Sequence, residues 1–275
     1  MEKSRVLLFA FCLLAMMVFS YAIGFLFEVG ARELVATIVF FAVYGMMYIL
    51  VVVFVRREQR GSVTDLGLQQ GPETVSHLVI GTVSGAAAAL LVYAFALVFG
   101  GQLRAIDEVT VDLILSQIII TIPVAVLEEL AYRGYLLTRL SEIWGRSSGL
   151  VLSSLFFSVL HFGWWLPLGT VSADLILLFS VNLFLGGLVL GFSYYASGER
   201  LWVAIAFHFA WNIAAYVLFP IFPTQPVLMP EIFQIEWGWT TIPGFLFGLS
   251  LVWSLMRISR SQKPVVEKKV RRGGQ

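Results

Sequence analysis

Three short stretches of this chain hold side chains that could hydrolyse a bond. They contain Glu128, Glu129 and Arg133, then Phe157 and His161, then His208 and Asn212. Within each stretch the partners stand four residues apart, which puts them on one face of a helix. Glu129 and Arg133 have the spacing of an ion pair, and Glu128 sits about 100° round the helix from Glu129. A carboxylate removed from water can act as a general base on a water molecule, and imidazole can share that work. Imidazole and carboxamide N–H groups can stabilise a tetrahedral oxyanion.

Each stretch alone also has a plainer reading. The charges at 128–133 could face the cytoplasm beyond a span that ends near Leu127. His161 could be a structural histidine. His208 and Asn212 could be hydrogen-bonding glue between helices. Against the first of these, Leu136, Leu137 and Leu140 continue an apolar pattern past the charges.

The elements that must position these residues are membrane helices. The 275 residues are 59% hydrophobic and 13% charged, about half the ~25% charged content of soluble domains. Mean hydropathy is +0.88, which points to lipid as the main solvent. A spanning helix needs about 20 apolar residues. Val6–Phe27, Leu34–Val55, Val75–Phe99, Leu113–Leu140, Asp174–Ala196, Leu201–Phe219 and Thr240–Met256 supply seven such segments, and the shorter Gly149–Gly163 an eighth. The expected fold is all-α, a single bundle of about eight transmembrane helices. Residues 1–112 would form three N-terminal spans with their loops, 113–220 the catalytic core, and 221–275 the last span and a basic tail. Val75–Phe99 carries a small-residue face (Gly81, Ser84, Gly85, Ala88) suited to close helix contact.

Loop charges give sidedness. Arginines and lysines gather at Lys3 and Arg5, at Arg56, Arg57 and Arg60, at Arg139 and Arg146, at Arg200, and in the tail from Arg257 to Arg272. The opposite loops hold Arg32 and Arg104. Positive charge favours the cytoplasmic side, so both termini are expected in the cytoplasm, as an even span count requires. The expected location is a multi-pass integral membrane protein, in the plasma membrane if the host is prokaryotic. The basic tail suits anionic lipid, and Trp237 and Trp239 suit an interfacial belt. The net charge of +1 gives no reason to expect nucleic acid as a partner.

Other intramembrane chemistries lack their motifs. None of the three histidines is followed by Glu, so there is no HExxH zinc site. There is no Gly-x-Gly-Asp, and Gly81-Thr82-Val83-Ser84-Gly85 has the wrong spacing for a serine nucleophile, so Ser84 reads as a packing residue. His77 lies near a membrane boundary with no motif around it. Cys12, the single cysteine, excludes an internal disulfide.

Taken together, Glu128-Glu129…Arg133, Phe157…His161 and His208…Asn212 resemble the CPBP family of CAAX prenyl proteases and bacteriocin-processing enzymes. That family's pattern is EExxxR, FxxxH and HxxxN, in this order, each on its own membrane helix. Leu66-Gly67-Leu68 and Gly134-Tyr135 are further family-like features. The resemblance implies a glutamate-type intramembrane endopeptidase acting on a membrane-anchored, prenylated or leader-bearing substrate. It implies that Glu128 activates water with help from His161. It gives the oxyanion hole to His208 and Asn212, an orienting role to Glu129 and Arg133, and pocket shaping to Phe157. It implies neither cofactor nor metal.

The same His and Glu residues could instead hold zinc with an open fourth position. A non-proteolytic membrane scaffold and a proton-coupled transporter are the readings from other classes. No repeat or broken-helix pair supports the transporter. The sequence carries no signal of oligomeric state.

Overall fold

The computed structural model describes residues 2–25, 32–59, 61–161, 173–220 and 235–261. Among the described residues there are eight long helices. They are α1 (Glu2–Phe25), α2 (Arg32–Glu58), α3 (Thr74–Phe99), α4 (Val111–Trp144), α5 (Arg146–His161), α6 (Ala173–Ala196), α7 (Trp202–Leu218) and α8 (Thr241–Ser261). Short 3₁₀ turns at Val63–Leu66 and Ile106–Glu108 lie in the connections. The expected all-α bundle is what the chain forms. The tail beyond Ser261, Arg60 and residues 221–234 of the aromatic loop lie outside the described residues.

Six of the helices are long and apolar enough to cross a membrane. The other two are α7, a shorter apolar helix, and α5. At about 1.5 Å per residue, their 17 and 16 residues reach about 26 and 24 Å. That is less than the ~30 Å of a bilayer core. α7 is compensated by its surroundings, because Val203, Ala204, Phe207, Ala210, Trp211 and Ala215 are all buried. It is the central helix, and both of its candidate site residues face protein.

The outer surface is apolar. Phe11, Leu34, Val75, Ile119 and Leu246 are all exposed. In water such a surface would be unstable, whereas in lipid it is the expected solvent-facing shell.

The small-residue face of α3 seats the central helix. A Cβ on Gly81 would lie 2.3 Å from the Val203 carbonyl oxygen, and one on Gly85 2.3 Å from that of Phe207. On the other side of the seam, α8 meets α3 at Gly244 and Gly248, whose added Cβ atoms would fall 2.7 Å from Val92 Cγ2 and 2.8 Å from Ala88 Cβ. Only glycine permits backbones to approach this closely.

α4 does not end at Leu127. Pro123 interrupts its hydrogen-bond ladder, and the turns at Leu130–Leu137 widen to π geometry directly after Glu128-Glu129. All eight residues of that segment are buried, as is Leu140 beyond it. Its far end is held by Glu58 of α2, which accepts from the Tyr135 hydroxyl (2.6 Å) and from Arg139 (2.8 Å). The Leu66-Gly67-Leu68 turn docks here too. Gly67 adopts a left-handed φ of 104°, and its carbonyl accepts from Leu201 N–H at 2.9 Å. The Leu66 carbonyl approaches Gly134 so closely that a Cβ there would stand 3.0 Å away. The two outlying family-like features are thus opposite sides of one contact.

Candidate active site

The plainer reading of Glu128–Arg133 fails on burial. Glu128 is 2% exposed, Glu129 0% and Arg133 1%. Charges this deep persist only when paired and hydrogen-bonded. Arg133 Nη1 donates to Glu129 Oε1 at 2.8 Å, and its Nη2 donates to the Gly187 carbonyl of α6 at 3.3 Å. Its guanidinium lies over the Phe157 ring, 4.4 Å from the centroid, in cation–π contact. Phe157 also packs edge-on against Tyr132 and lies beside His161 at 4.3 Å between centroids.

Glu129 links two of the three stretches. The Oε1 atom that takes the Arg133 donor also lies 2.9 Å from His208 Nδ1 on α7. A carboxylate paired with arginine accepts, so Nδ1 of His208 carries a proton. His161 is fixed the same way, with Nδ1 2.6 Å from the Phe157 carbonyl oxygen. Both rings therefore turn their Nε2 atoms toward Glu128, at 3.6 Å (His161) and 3.9 Å (His208) from its Oε2. These separations are too long for direct hydrogen bonds and suit one bridging water. Glu128 Oε2 is buried with no hydrogen-bond partner, while its Oε1 accepts from the Tyr44 hydroxyl at 2.7 Å. One oxygen is anchored and the other is left to face the two histidines.

These groups open on a cavity of about 330 Å³. Glu128, His161, His208, Asn212 and Phe157 all line it, and Phe40, Ile120, Val124 and Leu183 supply apolar wall. Glu129 and Arg133 stand behind it, reaching it through His208 and Phe157. All seven sequence-predicted residues are thus at one place. Among the described residues, no three His, Cys, Asp or Glu side chains are grouped so as to hold a metal ion.

Two residues of the site were not anticipated. Tyr44 is one of two tyrosines in an apolar span, 84 positions before its partner, and nothing in its local sequence marks it. Glu236 lies in the aromatic loop before α8 and also lines the cavity. It accepts from Trp211 Nε1 at 3.3 Å. Burial pushes its carboxyl above the usual carboxylate range.

Residues 110–214 match the family model described as type II CAAX prenyl endopeptidase Rce1-like. The match covers less than half of the chain and contains all seven motif residues. That stretch is therefore similar to the CAAX proteases, as the three motifs imply, and the likeness points to a membrane protease. The curated proteins contain no match to this chain.

Proposed function

We propose that this protein is an intramembrane endopeptidase that hydrolyses a membrane-associated substrate with a water activated by Glu128. The observation that carries the proposal is the convergence of Glu128 Oε2 with the Nε2 atoms of His161 and His208, all within 3.9 Å, on a largely apolar cavity. A water held between Glu128 Oε2 and His161 Nε2 attacks the scissile carbonyl carbon as Glu128 takes its proton. The carbonyl oxygen becomes an oxyanion, which Asn212 Nδ2–H stabilises. His208 assists from Nε2 only when both ring nitrogens carry protons, because the single proton of the neutral ring sits on Nδ1, which donates to Glu129. Collapse breaks the C–N bond, and Glu128 returns its proton to the leaving amine.

Glu129 and Arg133 act through His208 and Phe157, and Tyr44 keeps Oε1 of Glu128 out of the reaction. The wall of Phe40, Ile120, Val124 and Leu183 suits a substrate carrying a lipid or an apolar segment. Both termini lie in the cytoplasm under the loop-charge pattern, and substrate is met at the membrane.

The test is cleavage of paired reporters that share one peptide sequence, one anchored in vesicles and one soluble. Wild-type protein should cut the anchored reporter, and Glu128→Gln should not. Equal cleavage by the variant would remove the carboxylate from the chemistry.

A further inference from the structure

A small side cavity of about 40 Å³ adjoins the main one, sharing Phe157, Leu183, His208, Asn212 and Glu236 as wall. Its remaining lining includes Asn182 of α6, Trp211 of α7 and Phe245 of α8. The polar groups it adds to the motif residues, Asn182 Oδ1 and the Glu236 carboxylate, are both acceptors.

Asn182 is 1% exposed. Its Nδ2 donates to two carbonyls, Glu236 O at 2.8 Å and Gly238 O at 3.0 Å. Both partners can only accept, so the amide orientation is fixed. Oδ1 is left buried without a hydrogen-bond partner, a costly arrangement for a strong acceptor. Glu236 places a carboxylate in the same cavity, with Trp211 Nε1 as its donor. Among the described residues no Lys or Arg pairs with that carboxylate.

The backbone at 236 is built to hold this position. Glu236 has φ +66°, a left-handed conformation uncommon outside glycine. It is held there by Asn182 at its carbonyl and by Thr241 Oγ1, which accepts from its N–H at 2.9 Å. The next residue, Trp237, stacks on Phe179 at 4.3 Å. Strain kept in place from several sides is a feature of functional sites.

Two acceptors and aromatic walls fit a cation. Trp211 and Phe245 pack against each other at 4.4 Å between centroids and both line the cavity, and aromatic rings attract an organic ammonium. A hard metal ion would need about six oxygen ligands, far more than one carboxylate and one carboxamide give. At about 40 Å³ the side cavity is far smaller than the main one, which suits a compact ammonium head better than a planar guanidinium.

We infer that the side cavity is a specificity subsite in which Glu236 and Asn182 Oδ1 receive the ammonium group of a substrate lysine next to the scissile bond. This rests on the peptidase reading above and adds a substrate class to it.

The test has two arms. In the first, wild-type protein and Glu236→Gln cut anchored reporters with lysine or isosteric norleucine at the positions flanking the scissile bond. Wild-type should favour one lysine reporter at least tenfold in kcat/KM, and Glu236→Gln should bring that ratio near one. No lysine preference in wild-type, or an unchanged ratio in the variant, would overturn the subsite. In the second, calorimetry follows n-butylammonium binding to both proteins in nanodiscs. Binding should weaken at least tenfold in Glu236→Gln, and equal binding or none would overturn the subsite. Amine binding that needs Glu236, in a protein that cuts no reporter, would support the subsite and contradict the peptidase reading.

Discussion

Replacing Gly85 by alanine should damage catalysis from the far side of the central helix. The new Cβ would lie 2.3 Å from the Phe207 carbonyl oxygen, 2.9 Å from its Cα and 3.0 Å from its carbonyl carbon. All three are backbone atoms, so no rotamer change relieves the contact. Reaching an ordinary contact of 3.4 Å requires α7 to move by about 1.1 Å, the difference between 3.4 and 2.3 Å. His208 is the next residue along, and its Nδ1 is 2.9 Å from Glu129 Oε1. A shift of that size away from α3 carries His208 with it and breaks the geometry of a bond whose useful range spans only a few tenths of an ångström. Overpacking of this kind costs about 1–3 kcal/mol, and misplacing a catalytic group by about 1 Å can cost 100-fold in rate.

The assay is reporter cleavage together with thermal unfolding in the same detergent, with Gly45→Ala as control. Gly45 lies in α2 with nothing within 4 Å of an added Cβ, and alanine favours a helix by about 1 kcal/mol over glycine. Gly45→Ala should leave both readouts near wild-type. Wild-type activity and stability in Gly85→Ala would refute the claim that the α3–α7 seam sets the position of His208.

Removing the Tyr44 hydroxyl with Tyr44→Phe frees Glu128 Oε1. Hydrogen bonds to charged groups are worth about 1.5–3 kcal/mol, so kcat should fall roughly 10- to 100-fold with little change in folding, and an unchanged kcat would remove Tyr44 from the site. Arg133→Met strands the Glu129 carboxylate in the core, and breaking a buried pair this way costs about 3–5 kcal/mol. A large drop in thermal stability is expected, and a melting point near wild-type would show that the pair does not hold the fold. The Glu236 carboxyl, facing Glu128, His161 and His208 across the cavity, is raised by burial above its unfolded value. The folded state therefore binds its proton more tightly, and stability is lost as pH rises through the folded value. Glu236→Gln should flatten that dependence between acid and neutral pH, and equal slopes in the two melting series would contradict it.

Sequence periodicity and residue type revealed the parts of the site that repeat every four residues on one helix. Glu129 and Arg133, Phe157 and His161, and His208 and Asn212 are all of this kind, and the structure brings them together. The small-residue face of α3 was legible for a similar reason, since Gly81, Ser84, Gly85 and Ala88 fall on one stripe. Contacts between distant segments left no trace. Tyr44 meets Glu128 only because α2 packs beside α4, and Glu236 reaches the cavity only because Asn182 and Thr241 hold its turn in place. An acidic residue in a loop rich in aromatics reads as interfacial until the fold turns it inward. The π-helical turns after Glu129 were equally hidden, because LAYRGYLL carries nothing that separates a wide turn from an ordinary one.

The shortness of α5 and α7 shows how length and role part company. Counting apolar residues finds helices that face lipid on one side. α7 needs no full bilayer thickness because protein surrounds it, and this enclosure is what keeps His208 and Asn212 in a water-poor setting.

The decisive measurement is cleavage of membrane-anchored reporter peptides by purified wild-type protein and by Glu128→Ala, each with and without a strong chelator. Wild-type protein should cut a reporter equally well in both conditions, and well-folded Glu128→Ala should cut none. Full activity in Glu128→Ala, or wild-type activity lost to chelator and restored by zinc, would contradict a water activated by Glu128 alone.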